Sequence, residues 1–86
     1  MTMLKAIETR TKEIFQAIGV DASLTTVQNA VKNARKTLPP RLYRGSTKET
    51  QIEEVAREAA EYAIFAYPVY PAYQAAFKTW QIKNWL

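Results

Sequence analysis

Between Thr2 and Ile18 the apolar residues stand at Leu4, Ile7, Ile14, Phe15 and Ile18, with Thr11 completing the row. Steps of three and four place these positions on one face of a helix. Gly19 follows, and a glycine just past the last turn takes the left-handed conformation that closes a helix without steric cost. A second row, Leu24, Val27, Ala30, Val31, Ala34 and Leu38, predicts a second helix, capped by Asp21 or Ser23 and stopped by Pro39-Pro40. Pro39 to Ser46 holds two prolines, Gly45 and two arginines, which is the composition of a loop.

A third helix is expected behind that loop. Its cap is either Ser46, with Glu49 three residues on in a reciprocal pattern, or Thr47 with Thr50. Its apolar face carries Ile52, Val55, Ala56, Ala59, Ala60, Ala63 and Ile64, and it stops before Pro68. Pro68-Val69-Tyr70-Pro71 reads as a joint, with Pro71 suited to the first position of a fourth helix. That helix sets Tyr73, Ala76, Phe77 and Trp80 on one side and ends around Ile82, Trp85 and Leu86. No alternating run and no Asn-Gly or Asp-Gly pair competes as a strand or hairpin. The pattern predicts an all-α bundle of four helices, the first and third longest, in a single domain over 1–86. Its C-terminal part is a helical hairpin with a proline-rich joint.

Composition narrows the chemistry. The chain has 86 residues and neither cysteine nor histidine, which removes disulfides, thiolate nucleophiles and the usual ligands of zinc, copper and haem iron. Two glycines leave no phosphate-binding loop. Glu49/Glu53 and Glu54/Glu58 are carboxylate pairs one turn apart, a spacing able to hold Mg²⁺, but they share one helix and the other helices offer only Glu8, Glu13 and Asp21. They read as a solvated acidic face. The expectation is a protein that is not an enzyme, with no cofactor, no metal and no small-molecule substrate. The N-terminal residues lack an apolar h-region and a cleavage site. The longest uncharged run, Tyr62 to Phe77, is broken by two prolines and falls short of the roughly 20 apolar residues of a membrane span. An intracellular, cytoplasmic location follows as an expectation, with membrane contact disfavoured.

Charge divides the chain unevenly. Residues 1–45 hold eight bases and three acids, net +5, and residues 46–86 hold four bases and five acids, net −1, within a total of +4. Lys32, Arg35, Lys36, Arg41 and Arg44 form the densest basic stretch, and Glu49, Glu53, Glu54, Glu58 and Glu61 line the third helix. The five cations are candidate contacts for phosphates or for an acidic partner. Late in a helix, bases also simply complement its dipole.

Aromatic residues are just as unevenly placed. Eight of the ten, Tyr62, Phe65, Tyr67, Tyr70, Tyr73, Phe77, Trp80 and Trp85, lie in the last 25 residues. Tyr62 and Phe65 stand about one residue's rotation off the apolar face of the third helix, so a further surface is expected to cover them. Tyr62, Phe65, Tyr67, Tyr70, Tyr73, Trp80 and Trp85 are the candidate protein interface, since large rigid rings bury area at low entropic cost. Base stacking and inward packing are the competing uses of the same rings.

Two local patterns invite comparison with known motifs. Gly19-Val20 leading to Thr25, Gln28 and Asn29 resembles the start of a recognition helix, although the connection is about two residues longer than the usual tight turn. Leu42-Tyr43-Arg44 is the tripeptide of a family of small basic helical assembly factors, but it stands mid-chain behind two prolines, and nothing is carried over from it. The expected function is a non-enzymatic helical interaction module, an accessory or assembly subunit that binds a partner protein or its own copy through the aromatic C-terminal surface. The alternative is a small basic nucleic-acid-binding protein, a regulator or nucleoprotein coat subunit, using the basic segment 32–44.

Overall fold

A computed structural model describes residues 2–37, 47–66 and 71–85. It contains four α-helices among them: α1 (Met3–Ala17), α2 (Leu24–Thr37), α3 (Lys48–Glu61) and α4 (Gln74–Trp85). A π-helical turn, Tyr62–Ala66, continues α3, and a 3-10 turn, Pro71–Tyr73, leads into α4. No strand occurs among the described residues, and the all-α bundle is the fold. At fifteen residues α1 is the longest α-helix, while α3 with its π-turn is the longest helical run.

Hydroxyl side chains start the first three helices. The Thr2 hydroxyl accepts the Lys5 amide at 3.2 Å. Ser23 rather than Asp21 caps α2, its Oγ accepting the Thr26 amide at 3.2 Å. Thr47 caps α3 by accepting the Thr50 amide at 3.1 Å, so the Thr47/Thr50 pair is the one in use, and Ser46 lies outside the described residues. Each such cap is worth about 1 kcal/mol. The end of α1 is closed as firmly. Gly19 adopts φ +89°, the Val20 amide donates to the Phe15 carbonyl at 2.8 Å, and the Gly19 amide donates to the Gln16 carbonyl at 3.1 Å. This is the paired closure that a left-handed residue permits, and it folds buried Val20 back over buried Phe15.

The core lies where α1, α2 and α3 meet. Val55, Ala56, Ala59 and Ala60 give α3 a thin buried face against which both α1 and α2 pack. Ile7, Ile14 and Phe15 enter from α1, and Val27, Ala30, Val31 and Ala34 from α2. Small side chains on the central helix let two larger faces approach it at once. Thr11, the one polar member of the α1 row, is fully buried, and its hydroxyl donates to the Ile7 carbonyl at 2.8 Å. That bond satisfies a group whose burial would otherwise be costly.

The π-turn corrects the expectation of a uniform third helix. One extra residue per turn rotates everything beyond it by about one position. Ala63 and Ile64 are both buried, as their place in the apolar row predicts, and Phe65 comes round to meet Phe77 of α4 edge-on, with ring centroids 5.7 Å apart. The surface expected to cover Phe65 is therefore α4. Gln74 at the start of α4 donates from its side-chain amide to the Ile64 carbonyl at 3.1 Å. The widened turn and the last helix are thus tied by both an apolar and a polar contact.

Candidate functional site

Three features stand out on this scaffold: an ion-paired seam, a basic face and the C-terminal ring cluster. The seam joins α1 to α3. Arg10 donates through Nε and Nη2 to the two carboxylate oxygens of Glu53, at 2.8 and 3.2 Å, and through Nη1 to Glu13 at 3.3 Å. Arg57 approaches the same Glu53 at 3.6 Å. Hydrogen bonding to Glu53 raises the Arg10 pKa further, with burial opposing it. All four groups are partly solvated and already committed to one another, so the seam is a structural clamp.

The basic face is different. An open groove of about 480 Å³ runs between α1 and α2, lined by Leu4, Glu8, Gln28, Lys32, Arg35 and Lys36. A shallower one of about 180 Å³ adjoins it, lined by Lys5, Glu8, Thr9, Lys12, Leu24 and Val27. Glu8 borders both, and no residue of α3 lines either. Five cations from two helices thus share a surface with one acid. Lys5, Lys12, Lys32, Arg35 and Lys36 are all exposed, and none makes an ion pair among the described residues. Of the basic residues expected from the sequence, Lys32, Arg35 and Lys36 lie here. Arg41 and Arg44 fall outside the described residues.

Lys5 and Lys12 were missed by counting charge along the chain, because Glu8 and Glu13 dilute them. Their spacing of seven carries the signal, since it returns a helix to nearly the same face. Leu4 and Leu24 were read as core, yet they are 42% and 60% exposed and rim this face.

The ring cluster turns partly inward. Phe77 is fully buried, Trp80 lies 6.2 Å from it centroid to centroid, and Phe65, Tyr73 and Trp80 are half-buried against the core. Lys78 sets its ammonium 5.8 Å from the Phe65 ring centroid, within cation-π range. Tyr62 is half-buried. Trp85 closes α4, and its side chain, like Tyr67 and Tyr70, lies outside what is described. What α4 leaves uncovered is an apolar groove beside the end of α1, lined by Ala17, Ile18, Ala76, Thr79, Trp80 and Lys83. On its far side Ile82 is 61% exposed.

Glu61 marks the junction of α3 with α4. Burial, and then the neighbouring Glu58, push its pKa up, while a hydrogen bond from the Gln81 side chain at 3.3 Å and the charge of Arg57 pull the other way. The acids do not converge further: no group of three that could hold a metal ion occurs among the described residues. No helix among them is long and apolar enough to cross a membrane. No family model, curated protein or solved structure matches the chain.

Proposed function

We propose that the protein is a non-enzymatic helical interaction module, an accessory or assembly subunit that docks α4 onto a partner protein or onto its own copy. One observation carries the reading: α4 is apolar on more than one side. Phe77 is spent on the core, yet Ile82 is exposed and the groove beside Trp80 is open. A helix amphipathic enough to lie on a bundle needs only one such face, and apolar residues on a second side mark contact with something else. Half-buried Trp80 lines that groove, and Tyr62, Phe65, Tyr67, Tyr70, Tyr73 and Trp85 belong to the same stretch of chain.

A photo-crosslinking residue at Ile82, combined with light scattering on the purified protein, tests this. The expected result is either a discrete adduct or a species larger than the 9.8 kDa monomer, lost in Trp80→Ala/Ile82→Glu. A monomer giving no adduct overturns it.

The alternative, nucleic-acid binding, is favoured by the five exposed cations on α1 and α2, which make no ion pair among the described residues. Exposed Thr25, Gln28 and Asn29 beside them suit phosphate and base contacts. The six residues from Ile18 to Ser23 between α1 and α2 are longer than the three or four of a DNA-binding helical turn, which leaves non-specific contact as its form. Such binding weakens linearly in log salt and is lost in Lys32→Gln/Arg35→Gln/Lys36→Gln.

A further inference from the structure

We infer that the basic face of α1 and α2 docks the outer face of α3 of a second copy, so that the chain associates head to tail through surfaces separate from α4. The three central helices form a triangle. Among the described residues the groove of Lys32, Arg35 and Lys36 is lined by α1 and α2 alone, and so opens on the side away from α3. Because α3 packs Val55, Ala56, Ala59 and Ala60 against α1 and α2, its exposed Glu54 and half-exposed Glu58 look out on the opposite side. One molecule therefore carries a cationic front and an anionic back.

The two faces also match in spacing. Lys32 and Lys36 are four residues apart on α2, as Glu54 and Glu58 are on α3, and four residues rise about 6 Å along a helix. Two helices laid along each other bring both cations to both carboxylates. Fourteen residues of α2 contain no acid to oppose this, and Leu4 and Leu24 add exposed apolar area at the rim. Glu58 already raises the pKa of Glu61 by repulsion, and a neighbouring copy's cation relieves that repulsion. Nucleic acid is the weaker occupant, since exposed Leu4 and Leu24 border the face and a phosphate backbone has no apolar surface to cover them. Front-to-back contacts are heterologous, so the product is a ring or a filament rather than a closed pair.

Charge reversal with mixing tests the arrangement on nuclease-treated full-length protein, with circular dichroism to check that every variant is helical. The native chain is expected to show an average mass above 9.8 kDa by sedimentation at about 0.1 M salt that falls to the monomer at about 1 M, where the screening length drops from about 10 to about 3 Å. Lys32→Glu/Lys36→Glu and Glu54→Lys/Glu58→Lys are each expected to be monomeric alone. Mixed, the two match at both junctions, the native front of one on the native back of the other and the reversed front on the reversed back, so alternating species as large as those of the native chain are expected, and no rise in mass on mixing overturns the inference. Lys32→Gln/Lys36→Gln, a milder change, weakens association if a reversal variant fails to fold. A native monomer at low salt overturns the inference. So does association that persists at high salt and in both reversals, a result that leaves the α4 surface as the only contact.

Discussion

The triangle of α1, α2 and α3 and the C-terminal stretch from Tyr62 to Trp85 bury apolar surface in opposite ways. In the triangle, alanines on α3 make a thin surface and two helices close over it from different sides. Beyond Glu61, large rings do the work: one fully buried phenylalanine, Phe77, is held between Phe65 and Trp80. Many small contacts distributed over three helices leave no single point of failure except the largest side chain among them. A helix held by a few rings and by the side-chain bonds of Gln74 and Gln81 has a few points whose loss releases it. The second region is accordingly the one expected to open first, and it leaves Ile82 exposed, as the triangle leaves Leu4 and Leu24 exposed at its rim.

The largest expected effect separates two equivalent substitutions. Phe15→Ala empties a fully buried site at the centre of the triangle, and about 3–5 kcal/mol of stability goes with it, a large share of the roughly 5–15 kcal/mol of a typical domain. Phe77→Ala removes the same ring from an equally buried site, but α4 can detach while the triangle remains. Its denaturation midpoint should fall less, and hydrogen exchange should rise in α4 well before α1 to α3. Equal midpoint shifts with uniform loss of protection would merge the two regions into one cooperative unit and end the comparison.

Gly19→Ala probes the link between them at smaller amplitude. Among the described residues a methyl there meets only the Tyr73 ring at 3.8 Å, an ordinary contact, so the cost is taken as that of the backbone. At φ +89° that cost is about 1 kcal/mol, which for a chain of this size lowers the melting midpoint by about 4–8 °C. A much larger drop would mean that α1 and the Tyr73 turn depend on each other sterically, tying the two regions together more tightly than their packing indicates.

Most of the triangle was legible in the sequence because three-and-four spacing, a glycine stop and hydroxyl caps are local signals, each with its own mechanism. The choice of Ser23 over Asp21, and of Thr47 as the α3 cap, was not, since neighbouring residues satisfied the same rule. The π-turn left a trace, in that Tyr62 and Phe65 sat one residue's rotation off the apolar face. Nothing local says whether a helix widens or the rings stay outside. That depends on Phe77, twelve residues beyond Phe65 across a proline joint. The basic face was half legible: Lys32, Arg35 and Lys36 are close in sequence, whereas Lys5 and Lys12 join them only once α1 lies beside α2. Leu4 and Leu24 fit the helical period but stand at first turns, where a helix extends past the helix that would cover it.

The smallest effect falls on Glu61, where the two regions meet. Burial and Glu58 raise its folded-state pKa above the ordinary 4.5, so the unfolded chain releases this proton first. The folded state then loses stability as pH climbs from the ordinary value through the raised one, and the whole cost is present above it. Glu61→Gln removes the charge yet keeps a carbonyl oxygen to accept from Gln81. At about pH 7 the variant should melt slightly higher than the native chain, by under about 0.5 kcal/mol because the group is partly solvated. As pH falls below the ordinary carboxylate range, the native side chain becomes neutral too and the two melting curves converge. A variant less stable than the native chain at neutral pH would reverse the balance, making the Gln81 bond to the ionised carboxylate worth more than the cost of burying that charge beside Glu58.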